Sequence, residues 1–188
     1  MKKSMCLAAA ALFMSACLSG CGDSERYAAE EKFGPINKKM MAAVGDLTAV
    51  PAKTELVAEP YVKGKIAVFQ ARGSKGSAAK DNTYFMQIDY FRQLEEFYAA
   101  TPEEVGTVAL MHCKTTQKGV YKTDDGKEFP AEAEDCELTM VDRSKAAVVF
   151  KKMFEKTPSQ ERKAYGNSML RESAQTDVLQ FLKGLPRT

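Results

Sequence analysis

Few residues of this chain have the types and spacing that chemistry requires. They are one histidine, His112; a cysteine pair in the body of the chain, Cys113 and Cys136; and two acidic clusters, Glu95-Glu96 with Glu103-Glu104, and Glu132, Glu134 and Asp135. A Ser-His-Asp or Cys-His system would have to recruit His112, the single imidazole of the chain. His112 adjoins Cys113, but neighbours on a strand point to opposite faces, so the two would not easily share a metal. The sequence has no Cys-x-x-Cys, nucleophile elbow, dinucleotide fingerprint or calcium loop. Gly73-Ser74-Lys75-Gly76-Ser77 lacks the spacing of a phosphate loop and reads as a flexible segment. Paired carboxylates could cleave glycosidic bonds, yet charged helix ends and a solvated strand edge explain the same residues more simply. The methionines Met40, Met41, Met86, Met111, Met140, Met153 and Met169 are too dispersed for a copper cluster and read as core filler. The expectation is therefore no catalytic residue, no metal and no cofactor.

The amino terminus carries a more specific pattern. Lys2 and Lys3 form a positive region, Cys6 to Ala16 an apolar stretch too short to span a bilayer, and Ser19-Gly20 a small-residue cleavage site before Cys21. Leu18-Ser19-Gly20-Cys21 resembles the lipobox of bacterial lipoprotein precursors. That resemblance implies that residues 1–20 are a signal peptide, that the Cys21 thiol receives a diacylglycerol, and that the new amino terminus is usually acylated. Two or three acyl chains make membrane attachment effectively permanent. In lipoproteins with this box, an aspartate directly after the cysteine tends to retain the protein in the inner membrane. Here Gly22 follows, with Asp23 one further on. The resemblance thus implies a cell-envelope protein, on the outer membrane facing the periplasm if the host has two membranes.

Removal of the signal changes the composition. Lys2 and Lys3 leave with it, reducing 27 basic residues to 25 against 25 acidic ones, so the mature domain is neutral and carries no electrostatic footprint for nucleic acid. Cys6 and Cys17 leave too, and Cys21 is consumed by lipid. Cys113 and Cys136 remain as a pair in an oxidising compartment, where a structural disulfide is expected. Closing a loop of about 24 residues should stabilise by roughly 3 kcal/mol in the chain-entropy model.

The elements that must position these residues can be read in outline. Gly22 to Lys32 is polar and aperiodic, as a tether would be. Asn37 offers an N-cap for a short helix over 38–44, stopped by Gly45. Residues 48–61, with two prolines, read as an extended lead-in, and Lys65 to Gln70 as a strand. Tyr84 to Ile88 reads as a second strand, Leu94 to Ala100 as helical, and Thr101-Pro102-Glu103-Glu104 as the start of a one-turn helix. Thr107 to His112, Val120 to Thr123, Glu137 to Val141 and Ala146 to Phe150 read as strands, with a turn signal at Asp125-Gly126. One long hairpin about residues 124–125 would set Cys113 against Cys136. A rival meander turning at Gln117-Lys118-Gly119 would leave their adjacency to tertiary pairing. A final helix is capped by Thr176 or Asp177, presents Val178, Leu179 and Leu182, and ends at Gly184 before Pro186. The segment Leu138 to Phe150 loosely resembles hairpins of envelope-assembly lipoproteins, but a turn aspartate such as Asp142 has a purely local cause, so no functional residue is carried across.

The pattern predicts the α+β class: a mainly antiparallel sheet with helices packed on one face and a C-terminal helix. The expected organisation is a signal peptide (1–20), a lipidated N-terminus, tether and short helix (21–60), and one domain (61–188). The expected function is non-catalytic: an envelope module anchored to the membrane by its lipid and binding an envelope protein, with no nucleic-acid partner. Two alternatives stand beside it. One is a carrier of a small apolar or lipidic ligand, with a pocket lined by Phe69, Phe85, Phe91 and Phe97. The other is an envelope hydrolase using carboxylates near Glu103, Glu104 or Asp135.

Overall fold

The computed structural model describes residues 21–71, 84–122, 126–158, 164–165, 168–169 and 172–188. The expected signal peptide and the loop Arg72 to Asn82 lie outside these residues. In chain order the elements are helix α1 (Cys21–Ala42), helix α2 (Val44–Leu47), strands β1 (Lys65–Ala71) and β2 (Tyr84–Phe85), helix α3 (Ile88–Gln93) and a 3₁₀ turn (Pro102–Glu104). Strands β3 (Val105–Lys122), β4 (Glu128–Asp142), β5 (Ala147–Phe154), β6 (Ala164–Tyr165), β7 (Ser168–Met169) and β8 (Glu172–Ser173) and helix α4 (Gln175–Gly184) follow.

Five strands run in the order β2-β1-β3-β4-β5, and β8 pairs with β4 to complete a six-stranded sheet. β6 and β7 form a separate two-stranded pair. Pairing is antiparallel except between β1 and β3 and between β4 and β8. The α+β expectation holds. The parallel β1–β3 step needs a crossover, which β2, α3 and the 3₁₀ turn occupy.

The strand pairing expected of the long hairpin is the one formed, its turn at 123–125 lying outside the described residues. Thr107 lies opposite Asp142, Cys113 opposite Cys136 and Lys122 opposite Glu128. The rival turn at Gln117-Lys118-Gly119 is not used; a register shift falls there instead, between Gln117 and Gly119, so the glycine marks a bulge in a continuous strand. The central strands close on both faces. Every residue from Ile66 to Ala71 is buried, as is every residue from Thr107 to Met111. Helix α4 covers the face that carries Phe150 and Phe154, against which Phe181 packs with ring centroids 5.3 Å away in each case.

The extended lead-in protects a sheet edge. Glu55 and Val57 donate backbone N–H bonds to Val148 and Val149 (2.8 and 3.0 Å), and Val148 donates to Lys53 (2.9 Å). These bonds satisfy groups of β5 that would otherwise invite pairing with another chain.

Three local expectations are corrected. The segment Gly22 to Lys32, read as a tether, is helical, and residues 38–42 of the expected short helix are the end of the same 22-residue α1, which passes through Pro35 and the expected cap Asn37, while Val44 and the expected stop Gly45 lie in α2. Ala29, Phe33 and Met40 are buried, and Phe33 stacks on Phe91 at 5.6 Å; a sparse apolar stripe among exposed Glu30, Glu31 and Lys32 was enough to dock the helix. The helix expected over Leu94 to Ala100 does not form; the helix of this region is α3, which begins at Ile88, so the strand expected over Tyr84 to Ile88 is only Tyr84–Phe85. Ile66 instead bonds Phe97 O and accepts from Ala99 N–H (2.8 and 3.0 Å), so pairing along β1 overrides local propensity. Finally, α4 begins before Thr176: Ser173 Oγ accepts the Gln175 N–H at 3.2 Å, and Asp177 in the first turn instead pairs with Lys156.

Candidate functional site

Cys113 and Cys136 are joined by a disulfide with their Cα atoms 4.0 Å apart. They sit where the sheet changes character. β1 pairs with β3 only as far as Met111, and β5 pairs with β4 only from Cys136 onward. Beyond the disulfide, β3 and β4 continue as a two-stranded arm to Lys122 and Glu128, flanked near its base by β8 at Ala133 and Glu134. Lys114, Gln117, Lys118, Val120, Lys122, Glu128 and Pro130 of this arm are exposed.

Beside the disulfide lies a connected polar network. Glu134 is two residues from Cys136, hence on the same strand face. Its Oε2 accepts hydrogen bonds from Ser173 Oγ (2.6 Å) and Gln175 Nε2 (2.9 Å). Tyr90 OH lies 3.3 Å from Gln175 Oε1 and 2.6 Å from Gln70 Oε1, which also accepts from Gln87 Nε2 at 2.6 Å. Burial first, then the Glu134 and Asp89 charges, push the Tyr90 phenol far above its ordinary range, so it remains a neutral donor. β1, α3, β4, β8 and the start of α4 thus meet in one network. Gln70 and Tyr90 are buried and Glu134 and Gln175 half-buried, so these polar groups cost free energy unless each finds a partner, and here each has one.

The sequence-predicted residues are dispersed. His112 is exposed, next to Cys113 on β3 and so on the opposite face. Cys21 stands at the start of α1. The acidic clusters do not form a pair of matched carboxylates. Glu95 pairs with Lys32, and Glu104 accepts the Ala100 N–H at 2.9 Å, close to the capping role expected of it. Glu134 and Asp135 diverge to the two faces, Asp135 pairing with Lys118 at 2.6 Å and accepting the Lys156 N–H at 2.9 Å. A hydrogen bond from Lys118 holds the Asp135 carboxyl below its ordinary range, and one from Thr101 does the same for Glu103. A general acid for glycoside cleavage needs the opposite shift.

The aromatic set does not line either of two open clefts as a group. Phe69 and Phe91 are core residues, Phe91 lying 4.0 Å from Tyr98, while Phe97 lies under the Arg187 guanidinium at 3.7 Å. Of two open clefts, of about 470 and 370 Å³, the first is lined by Lys39 and Pro102 and the second by Lys65, Phe97 and Arg187; neither is lined by Phe69, Phe85 or Phe91.

Sequence reasoning missed the network around Glu134. The two-residue spacing to Cys136 was available as a signal, but Tyr90 and Gln175 are 85 positions apart and nothing local links them. No protein-family model, curated protein or solved structure matches the chain.

Proposed function

We propose that this chain is a lipid-anchored protein of the bacterial envelope whose domain acts without catalysis, binding another envelope protein through the β3–β4 arm. The carrying observation is the arm itself: a ribbon stapled at its base by Cys113–Cys136 and extending past the strands that flank the rest of the sheet. A rigid, exposed ribbon presents backbone and alternate side chains to a partner at small ordering cost. Val120, an apolar residue 48% exposed near the tip, is a natural contact point. The lipobox residues support the location, since acylation at Cys21 would hold the arm close to a membrane face. The ligand-carrier reading gains little from a core in which Phe69 and Phe91 are packed away. The hydrolase reading gains little from carboxyls shifted downward.

A photo-crosslinking residue at Val120, in the full chain in its native host, tests the reading, with Lys183 on α4 as the control position. A discrete adduct from position 120, absent from 183 and abolished by Lys118→Glu with Gln117→Glu, supports the arm as the contact surface. Equal adducts from both positions, or none from 120, defeat it.

A further inference from the structure

The disulfide has a third chemical neighbour. The Sγ atoms of Cys113 and Cys136 and a carboxylate oxygen of Glu134 all lie within 4.8 Å of one another, with both cysteines buried. Ser173 and Gln175 hold the carboxylate through Oε2 alone, leaving Oε1 outside those two bonds. We propose that reduction of this disulfide creates a Zn²⁺ site with the two thiolates and Glu134 as ligands. An external dithiol is the electron donor. Its thiolate attacks Cys113 Sγ, the S–S bond breaks and Cys136 leaves as thiolate; the second thiol of the donor then displaces Cys113, and the donor departs as its own disulfide. Two electrons pass to the pair, and Zn²⁺ takes both thiolates as two protons go to solvent.

The geometry fits the ion. Bonds of about 2.3 Å to sulfur and about 2.1 Å to oxygen place tetrahedral ligands roughly 3.6 Å apart, a separation that directly opposed strand positions reach by side-chain rotation once the S–S bond is gone. Two soft thiolates with one carboxylate favour Zn²⁺ over the hard, oxygen-seeking cations, and a water completes the set. Ser173 and Gln175 then act as the outer hydrogen bonds that orient a ligating carboxylate.

The test uses the full mature chain, reduced with a phosphine that binds metal weakly, and titrated with Co²⁺ as a spectroscopic stand-in and then with Zn²⁺ alone. The expected result is one equivalent bound with a thiolate-to-cobalt band in the near ultraviolet, displaced by Zn²⁺, and no binding by the oxidised chain. Glu134→Gln should weaken binding about a hundredfold, and Ser173→Ala, which removes only an outer bond, about tenfold. A reduced chain that shows no thiolate band, that loses its strand circular dichroism, or that binds equally well in both variants overturns the proposal.

Discussion

Gly106 occupies a position where no side chain fits. A Cβ there would lie 2.2 Å from the backbone oxygen of Lys63, which is itself held by the Thr107 hydroxyl at 3.1 Å. Gly106→Ala forces backbone apart, and we expect a loss of about 1–3 kcal/mol in urea unfolding. Asp142 gives a second prediction. Burial alone would raise its carboxyl, but bonds from Ser144 Oγ (2.6 Å), Tyr61 OH (2.9 Å) and the Lys145 and Ser144 amides outweigh that and hold it below the ordinary 3.8. The unfolded carboxyl titrates at the ordinary value, so the ionised form favours folding. That contribution is complete above the unfolded value and fades as pH falls toward the folded one. Unfolding of wild type and Asp142→Asn compared from pH 7 to pH 3 should show a stability difference that shrinks below about pH 4. A constant difference would mean the charge is not what matters. The turn aspartate was legible in the sequence because its partners are local, at Ser144 and Lys145. Tyr61, 81 positions away, was not.

At the scale of elements, the β3–β4 hairpin depends on its staple. Replacing both Cys113 and Cys136 by alanine should cost roughly 3 kcal/mol through the freed loop of the unfolded chain. For a chain of this size that lowers the thermal midpoint by roughly 5–10 °C, and reductant should produce no further change in the variant. Helix α4 is held by Val178, Leu179 and Leu182, all buried. Leu182, fully enclosed, should cost about 2–5 kcal/mol when truncated to alanine, readable by the same unfolding measurement. The hairpin could be anticipated because the symmetry of Cys113 and Cys136 about a point between positions 124 and 125 is a property of spacing. α1 could not: its buried positions Ala29, Phe33 and Met40 are too few to give a period, and their burial depends on α3, distant in sequence.

For the whole molecule, the proposed lipid attachment and the proposed recognition by the arm can be tested separately. Cys21→Ser should leave an unprocessed precursor whose intact mass carries no added lipid; normal processing would remove the lipoprotein reading while leaving the folded domain untouched. The residue order by itself determined the class of fold and the pairing of Cys113 with Cys136, because hydrophobic alternation and cysteine spacing are local or symmetric signals, while the choice of one long hairpin over a meander was settled by the pairing of β3 with β4. Tertiary structure alone decided the rest. The parallel step from β1 to β3, the covering of the β5 edge by residues 53–57, and the meeting of Gln70, Tyr90, Glu134 and Gln175 beside the disulfide each join segments distant in the chain. Such contacts form only when buried polar groups and open strand edges must find partners, a requirement the whole fold imposes and no short stretch of sequence encodes.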